Sequence, residues 1–200
     1  MISILISLLK EKPIGKIAFF CLTAFLLAPP DLSAIHAILK DGEPIPRAVG
    51  SIALEMPIET FLKTTEGIET PKAIGQFEDE HRFQLDGLPA ATGIKNLVCD
   101  FFQGVLFRIE VNYPPLGEDA ASLNPLIEAW TRRFGSPRIN TFSGTRLFFW
   151  DDGATRMILE IDESAALQTY SVTYIDDDLF HRISRERVQR ETSGQSSYGK

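Results

Sequence analysis

Between residues 80 and 176 the chain is a succession of short β-type segments separated by turn residues, a pattern few folds can accommodate. Glu80–Leu85, Asn96–Phe102 and Val105–Tyr113 read as strands, and Gln103–Gly104 supplies a two-residue hairpin turn between the last two. Arg146–Trp150 and Ala154–Ile161 flank Asp151–Asp152–Gly153, a second hairpin signal. Gln168–Asp176 is the last strand, with Tyr170, Val172 and Tyr174 alternating against Thr169, Ser171 and Thr173. Ser51–Leu54 adds a short apolar strand near the start. Strands joined by tight turns pair antiparallel, and no strand–helix–strand alternation with long apolar runs is present to suggest a parallel sheet.

Two helices punctuate the strands. Pro57 opens one through Glu66, closed by Gly67, with Ile58, Phe61 and Leu62 at helical spacing. Pro125 opens the other through Phe134, closed by Gly135. Leu126, Trp130 and Phe134 recur every four residues, a stripe expected to face the sheet, with an exposed binding anchor as the alternative role for Trp130. The expected fold class is therefore α+β, one antiparallel sheet packed against two helices over residues 50–176. Helix followed by hairpin-linked strands occurs twice. Pro71 and Gly87 recur as Pro137 and Gly153, each 66 residues later. Either a tandem duplication or ordinary punctuation at element ends accounts for that recurrence.

The first 34 residues carry an address. Lys10, Lys12 and Lys16 precede Ile17–Ala28, which has no charge, and Pro29–Pro30 and a small-residue site at Ser33–Ala34 follow. Basic region, short apolar region and small residues in that order describe a secretory signal peptide, with a mature start expected between Ile35 and Ile38. A retained N-terminal anchor is the rival, although the charge-free stretch is shorter than the ~20 residues a spanning helix needs. The expected division is a leader over 1–34, a single domain over 35–178, and a polar C-terminal tail over 179–200, helical at first and then disordered. Within that tail Arg182, Glu186, Arg187, Arg190 and Glu191 offer i,i+4 pairs.

Charge and cysteine content narrow the function. The chain carries a net charge of −7, and loss of the leader leaves 17 basic and 25 acidic side chains, a net −8. That surface disfavours nucleic acid and anionic membranes, so membrane contact is expected only through an uncleaved N-terminus. Cys21 leaves with the leader, so Cys99 has no internal disulfide partner and the fold rests on its apolar core. The absence of an Asn-x-Ser/Thr acceptor fits a bacterial envelope.

At this point the residues resemble known domains. Ile52–Leu62 (IALEMPIETFL) looks like the opening of many small secreted bacterial α+β domains, with Glu55 where a glycine usually stands. Phe101–Val111 (FFQGVLFRIEV) is similar to their central hairpin, and Leu126–Pro137 followed by Trp150–Gly153 to their second helix and tryptophan turn. The nearest named types are BamE-like outer-membrane assembly domains and the tandem repeat of the β-lactamase inhibitor protein. The resemblance implies an interaction module and transfers no binding residue.

Chemistry-bearing motifs are few. The chain has no GxSxG, GxGxxG, GxxxxGK[ST], HExxH or CxxC. A two-residue turn at Gln103–Gly104 would set Cys99 opposite Arg108, whose charge would lower the thiol pKa; a half-buried, inert strand cysteine is the other reading. His36, His81 and His181 lack local partners at ligand spacing. Asp151–Asp152 and Asp176–Asp178 are acidic clusters, better read as turn and helix-cap residues than as calcium loops. No catalytic, cofactor-binding or metal-ligating residue is assigned, and no cofactor is expected. The expected function is a secreted or periplasmic non-catalytic module that binds another envelope protein or a small ligand on its sheet face. An envelope enzyme with a site assembled from scattered residues, and a membrane-tethered structural subunit, are the alternatives; the oligomeric state is left open.

Overall fold

A computed structural model of the chain describes residues 42–68, 70–77, 79–116, 123–164 and 167–192. The expected leader over 1–34 and the expected disorder after residue 192 lie outside the described residues. Two short strands, β1 (Ala48–Val49) and β2 (Ile52–Ala53), pair with each other near the start. Then come α1 (Ile58–Thr65), β3 (Lys72–Phe77), β4 (Glu80–Leu85), β5 (Asn96–Phe102) and β6 (Val105–Asn112). After them come α2 (Asn124–Phe134), β7 (Arg138–Phe142), β8 (Thr145–Asp151), β9 (Thr155–Asp162), β10 (Thr169–Asp176) and α3 (Asp177–Thr192).

The sheet order is β3-β4-β5-β6-β10-β9-β8-β7, and every pair is antiparallel. The fold is the expected α+β class with an antiparallel sheet. Helix plus four-stranded meander is given twice, and the last strands of the two meanders, β6 and β10, join back to back at the centre. Pro71 and Pro137 each stand one residue before an edge strand, β3 and β7, so the recurrence seen in the sequence marks equivalent places in the two halves. Neither edge strand was expected. All residues of β3 and β7 are exposed, so the buried/solvated alternation that reveals a strand is absent from both.

Strand alternation divides the sheet into two faces. Leu97, Cys99, Phe101, Ile109, Leu159 and Ile161 point to one side, where they meet Phe61 of α1 and Ile127, Trp130 and Phe134 of α2. Phe61 lies 5.1 Å from Phe101 and 5.9 Å from Phe83, centroid to centroid. Trp150 is 2% exposed, donates its Nε1–H to the Gly135 carbonyl at 2.9 Å, and receives Trp130 edge-on at 5.7 Å. The stripe of α2 that faces the sheet is Leu123, Ile127, Trp130 and Phe134, with Ile127 in the place expected of Leu126. A strict four-residue spacing drifts about 40° per step around a helix of ~3.6 residues per turn, so a stripe alternating steps of four and three stays on one face.

The C-terminal segment is helical and aspartate-capped as expected, but it is not the polar surface helix its composition suggested. Through Thr192 it is a helix docked on the other face of the sheet. Leu179 and Ile183, with Phe180 beside them, pack on Phe102, Phe107 and Val105. Asp176 accepts the Leu179 N–H at 2.7 Å and so caps the helix. Arg187 and Arg190 reach Glu80 at 2.6 Å and Asp79 at 3.0 Å, while Glu186 and Arg190 also approach within 3.9 Å as an i,i+4 pair. Three apolar side chains in one turn and a half were outweighed in the sequence by the polar composition around them.

A strap before α1 spans both halves of the sheet. Ile45 donates its N–H to Asp152 at 2.8 Å, Glu43 pairs with Arg133 at 2.7 Å, and Arg47 pairs with Asp176 at 2.5 Å, all in the second half. Further on, the N–H groups of Glu55 and Ile58 bond to the carbonyls of Leu106 and Gly104 in the first half.

Candidate binding face

The face that carries α1 and α2 is closed by apolar contact. On the opposite face, among the described residues, α3 covers the end near the β5–β6 turn. The side chains that alternation sends there away from α3 are the candidate residues described below.

A bulge sets their register. Phe102 pairs with Val105 and Phe101 with Leu106, but Asp100 pairs with Arg108, so β6 contributes one extra residue, Phe107. The extra residue turns Phe107 towards α3 and places Arg108 beside Asp100. It also moves Cys99 opposite Ile109, away from the expected partner Arg108. Cys99 is fully buried, and burial first, then the Asp100 charge, pushes its thiol up to about 12. The thiol is protonated and shielded, the inert of the two readings of the sequence.

From this register follows a polar ladder across β4, β5 and β6. Arg82 grips Asp100 with both Nε (2.5 Å) and Nη2 (2.9 Å), and Arg108 Nη1 reaches the same carboxylate at 3.0 Å. Arg108 also bonds Glu110, and Asn112 donates to Glu110 at 3.3 Å and to Asn96 at 2.9 Å. The hydrogen bond to Asp100 holds the Arg82 guanidinium above the ordinary arginine value, against the opposing effect of its own partial burial. Asp100 is 6% exposed, whereas the Arg82 side chain is 46% exposed. The ladder thus links the polar side chains of three strands by hydrogen bonds and ion pairs across this face.

Two depressions border it. One, of about 470 Å³, has Phe77, Phe107 and Phe180 among its walls and His81, Arg82 and Arg187 around them. The other, of about 350 Å³, lies over β6 and β10 and is lined mainly by polar groups, among them Asn96, Glu110, Asn112, Glu160 and Ser171. Both are within the ordinary size of ligand sites.

The titratable groups with displaced values are tied down rather than activated. Burial raises Tyr113 and Tyr170, and burial first, then Tyr113, pushes Tyr174 up to about 12. Tyr113 and Tyr170 stack 4.6 Å apart. Among the described residues no group of three His, Cys, Asp or Glu side chains lies close enough to hold a metal ion. The two acidic clusters have structural partners. Asp152 accepts the N–H groups of Ala154, Thr155 and Ile45, and Asp151 that of Gly153. Asp177 pairs with Arg156 at 2.5 Å and lies 3.2 Å from His181. His81 pairs in register with Phe101, and its edge reaches the larger depression. His36 lies outside the described residues.

Among the described residues no helix is long and apolar enough to cross a membrane. Comparison with known proteins finds no matching family model, no matching curated protein and no matching solved structure.

Proposed function

We propose that this chain is a non-catalytic binding module of the cell envelope, secreted or periplasmic, and that it engages another envelope protein through the sheet face opposite α1 and α2. The observation that carries this reading is the asymmetry of the sheet. One face is covered by apolar packing, while the other holds a polar ladder and two open depressions. The basic region followed by a short apolar run over 1–34 supports the envelope address, and the resemblance to small secreted α+β domains points the same way.

The test is capture from the native envelope fraction by the full chain and by two variants. Ser171→Arg places a long charged side chain over the depression at the centre of the face, and Leu62→Arg alters the exposed side of α1. A partner retained by Leu62→Arg and lost by Ser171→Arg supports the reading. Equal retention by both, or turnover of a small substrate without any captured protein, contradicts it.

A further inference from the structure

The two edges of the eight-stranded sheet are built differently. In β3 the register breaks between Ala73 and Gly75, and Lys72 at its start is bound to Asp86 at 2.7 Å. A bulge and a charged end are devices that discourage the addition of a further strand. β7 has neither a bulge nor a proline nor a glycine, and its five residues keep unbroken register with β8. All five are exposed, Ile139 at 57% and Phe142 at 78%. Arg138 is its single charge, lying over the Phe149 ring at 6.0 Å.

The turn decides which backbone groups of β7 face outward. Phe142 and Thr145 flank the two-residue turn Ser143–Gly144, whose φ values are 48° and 81°. Residues closing such a turn form a hydrogen-bonded pair, and bonded and non-bonded pairs then alternate. Phe142, Asn140 and Arg138 therefore direct their N–H and C=O towards β8, while those of Ile139 and Thr141 point out of the sheet.

We propose that β7 pairs with β7 of a second copy of this chain, antiparallel about a two-fold axis at Asn140, so that two sheets become one. In this register Ile139 stands opposite Thr141 of the second copy, and the reverse, so every outward N–H and C=O of both residues finds a partner. A shift of two residues either way leaves one of the two residues unpaired. The side chains agree with the backbone. Ile139 and Thr141 form β-branched cross-strand pairs on the helical side of the sheet. On the other side Arg138 meets Phe142 of the second copy, a cation–π pair. Antiparallel pairing also keeps the two copies of Arg138 at opposite ends of the interface, where a parallel arrangement would set like charges side by side. The contact is self-complementary, as a closed two-fold interface requires.

Sedimentation of the full chain tests this directly. The wild type is expected at twice its 22.3 kDa chain mass. Thr141→Pro deletes an outward N–H without touching a bond to β8, a substitution an edge strand tolerates; it is expected to sediment as a monomer that keeps the wild-type circular dichroism spectrum and a cooperative melt. Ile139→Lys, which adds a guarding charge to the same edge, is expected to do the same. In a Cys21→Ser background, Asn140→Cys sets two thiols across the axis at a Cα separation of about 4.5 Å, within disulfide reach, so oxidation is expected to yield a covalent dimer that the same background with Asn140 intact, in which the remaining Cys99 is buried, does not form. A monomeric wild type overturns the proposal, including the case in which the edge takes up an extended segment of another protein. A dimer that survives both edge substitutions and gives no Asn140→Cys cross-link overturns it as well.

Discussion

Glu55 holds its backbone at φ 68°, a conformation that suits glycine and strains other residues. Its N–H nevertheless bonds the Leu106 carbonyl at 2.7 Å, so the turn is fixed by the hairpin beneath it. Left-handed backbone costs a side-chain-bearing residue about 1–2 kcal/mol, while Gly loses roughly 0.5–1 kcal/mol in chain entropy. The exposed pairing of Glu55 with Arg47 at 3.4 Å is worth ~0–1 kcal/mol. Glu55→Gly is therefore expected to raise stability slightly, by at most about 1 kcal/mol, read as a later denaturation midpoint. At Cys99 the sign runs the other way with pH. Its ordinary thiol value is 9.0 and its folded value about 12, so above pH 9 the unfolded chain loses a proton that the folded chain keeps. Stability should be at its full value below that point and fall as pH rises towards 12. Cys99→Val should remove the thiol's share of the alkaline decline and leave the shares of Tyr113, Tyr170 and Tyr174, as followed by urea midpoints across the pH range. The burial of Cys99 was legible from its apolar neighbours in Asn96–Phe102. Its partner was not, because the extra residue Phe107 has no signature in the sequence.

At the scale of elements, what could be read depended on how each element is buried. β4, β5, β6 and β10 have one face in the core, and their alternation gave their bounds to within a residue or two. β3 and β7 are exposed on both faces and left no pattern. The helices were marked by their ends, since Pro57 and Pro125 stand at the starts and the Gly135 N–H closes on the Thr131 carbonyl at 3.0 Å. Which tryptophan anchors the second half could not be read, because both lie in apolar stripes. Trp150→Ala empties a fully buried site and is expected to cost about 3–5 kcal/mol. Trp130→Ala removes a half-buried ring and is expected to cost roughly half of that. Chemical denaturation of the two variants checks the order, and equal losses would show that the edge-on contact contributes as much as the buried ring. For α3, Ile183→Ala should cost about 2–4 kcal/mol, whereas a true surface tail would lose almost nothing.

On the scale of the whole molecule, two similar halves share one sheet, and a strap running from Glu43 to Ile58 ties them together. Its anchor Arg47 meets Asp176, which is 2% exposed and also caps α3, so one carboxylate links strap, central strand and terminal helix. Arg47→Ala leaves that buried carboxylate without its cation. Because Arg47 is partly exposed, the expected loss lies between the values for exposed and buried pairs, about 1–3 kcal/mol, and thermal unfolding measures it. The recurrence of Pro71 as Pro137 raised a doubling of the chain as one of two readings, and the helix-plus-four-strand order of each half agrees with it. The polar ladder was not visible, since Arg82, Asp100 and Arg108 are brought together only by strand pairing. The central claim is that the face bearing this ladder is where a partner sits. Site-specific photo-cross-linking in the native envelope tests it most directly, with the reactive group placed at Ser171 or Glu160 on that face and at Leu62 or Ile68 near α1. The account predicts covalent adducts to one envelope protein from the first two positions and none from the second two. Adducts from Leu62 and Ile68 alone, or no adduct from any of the four, would contradict it.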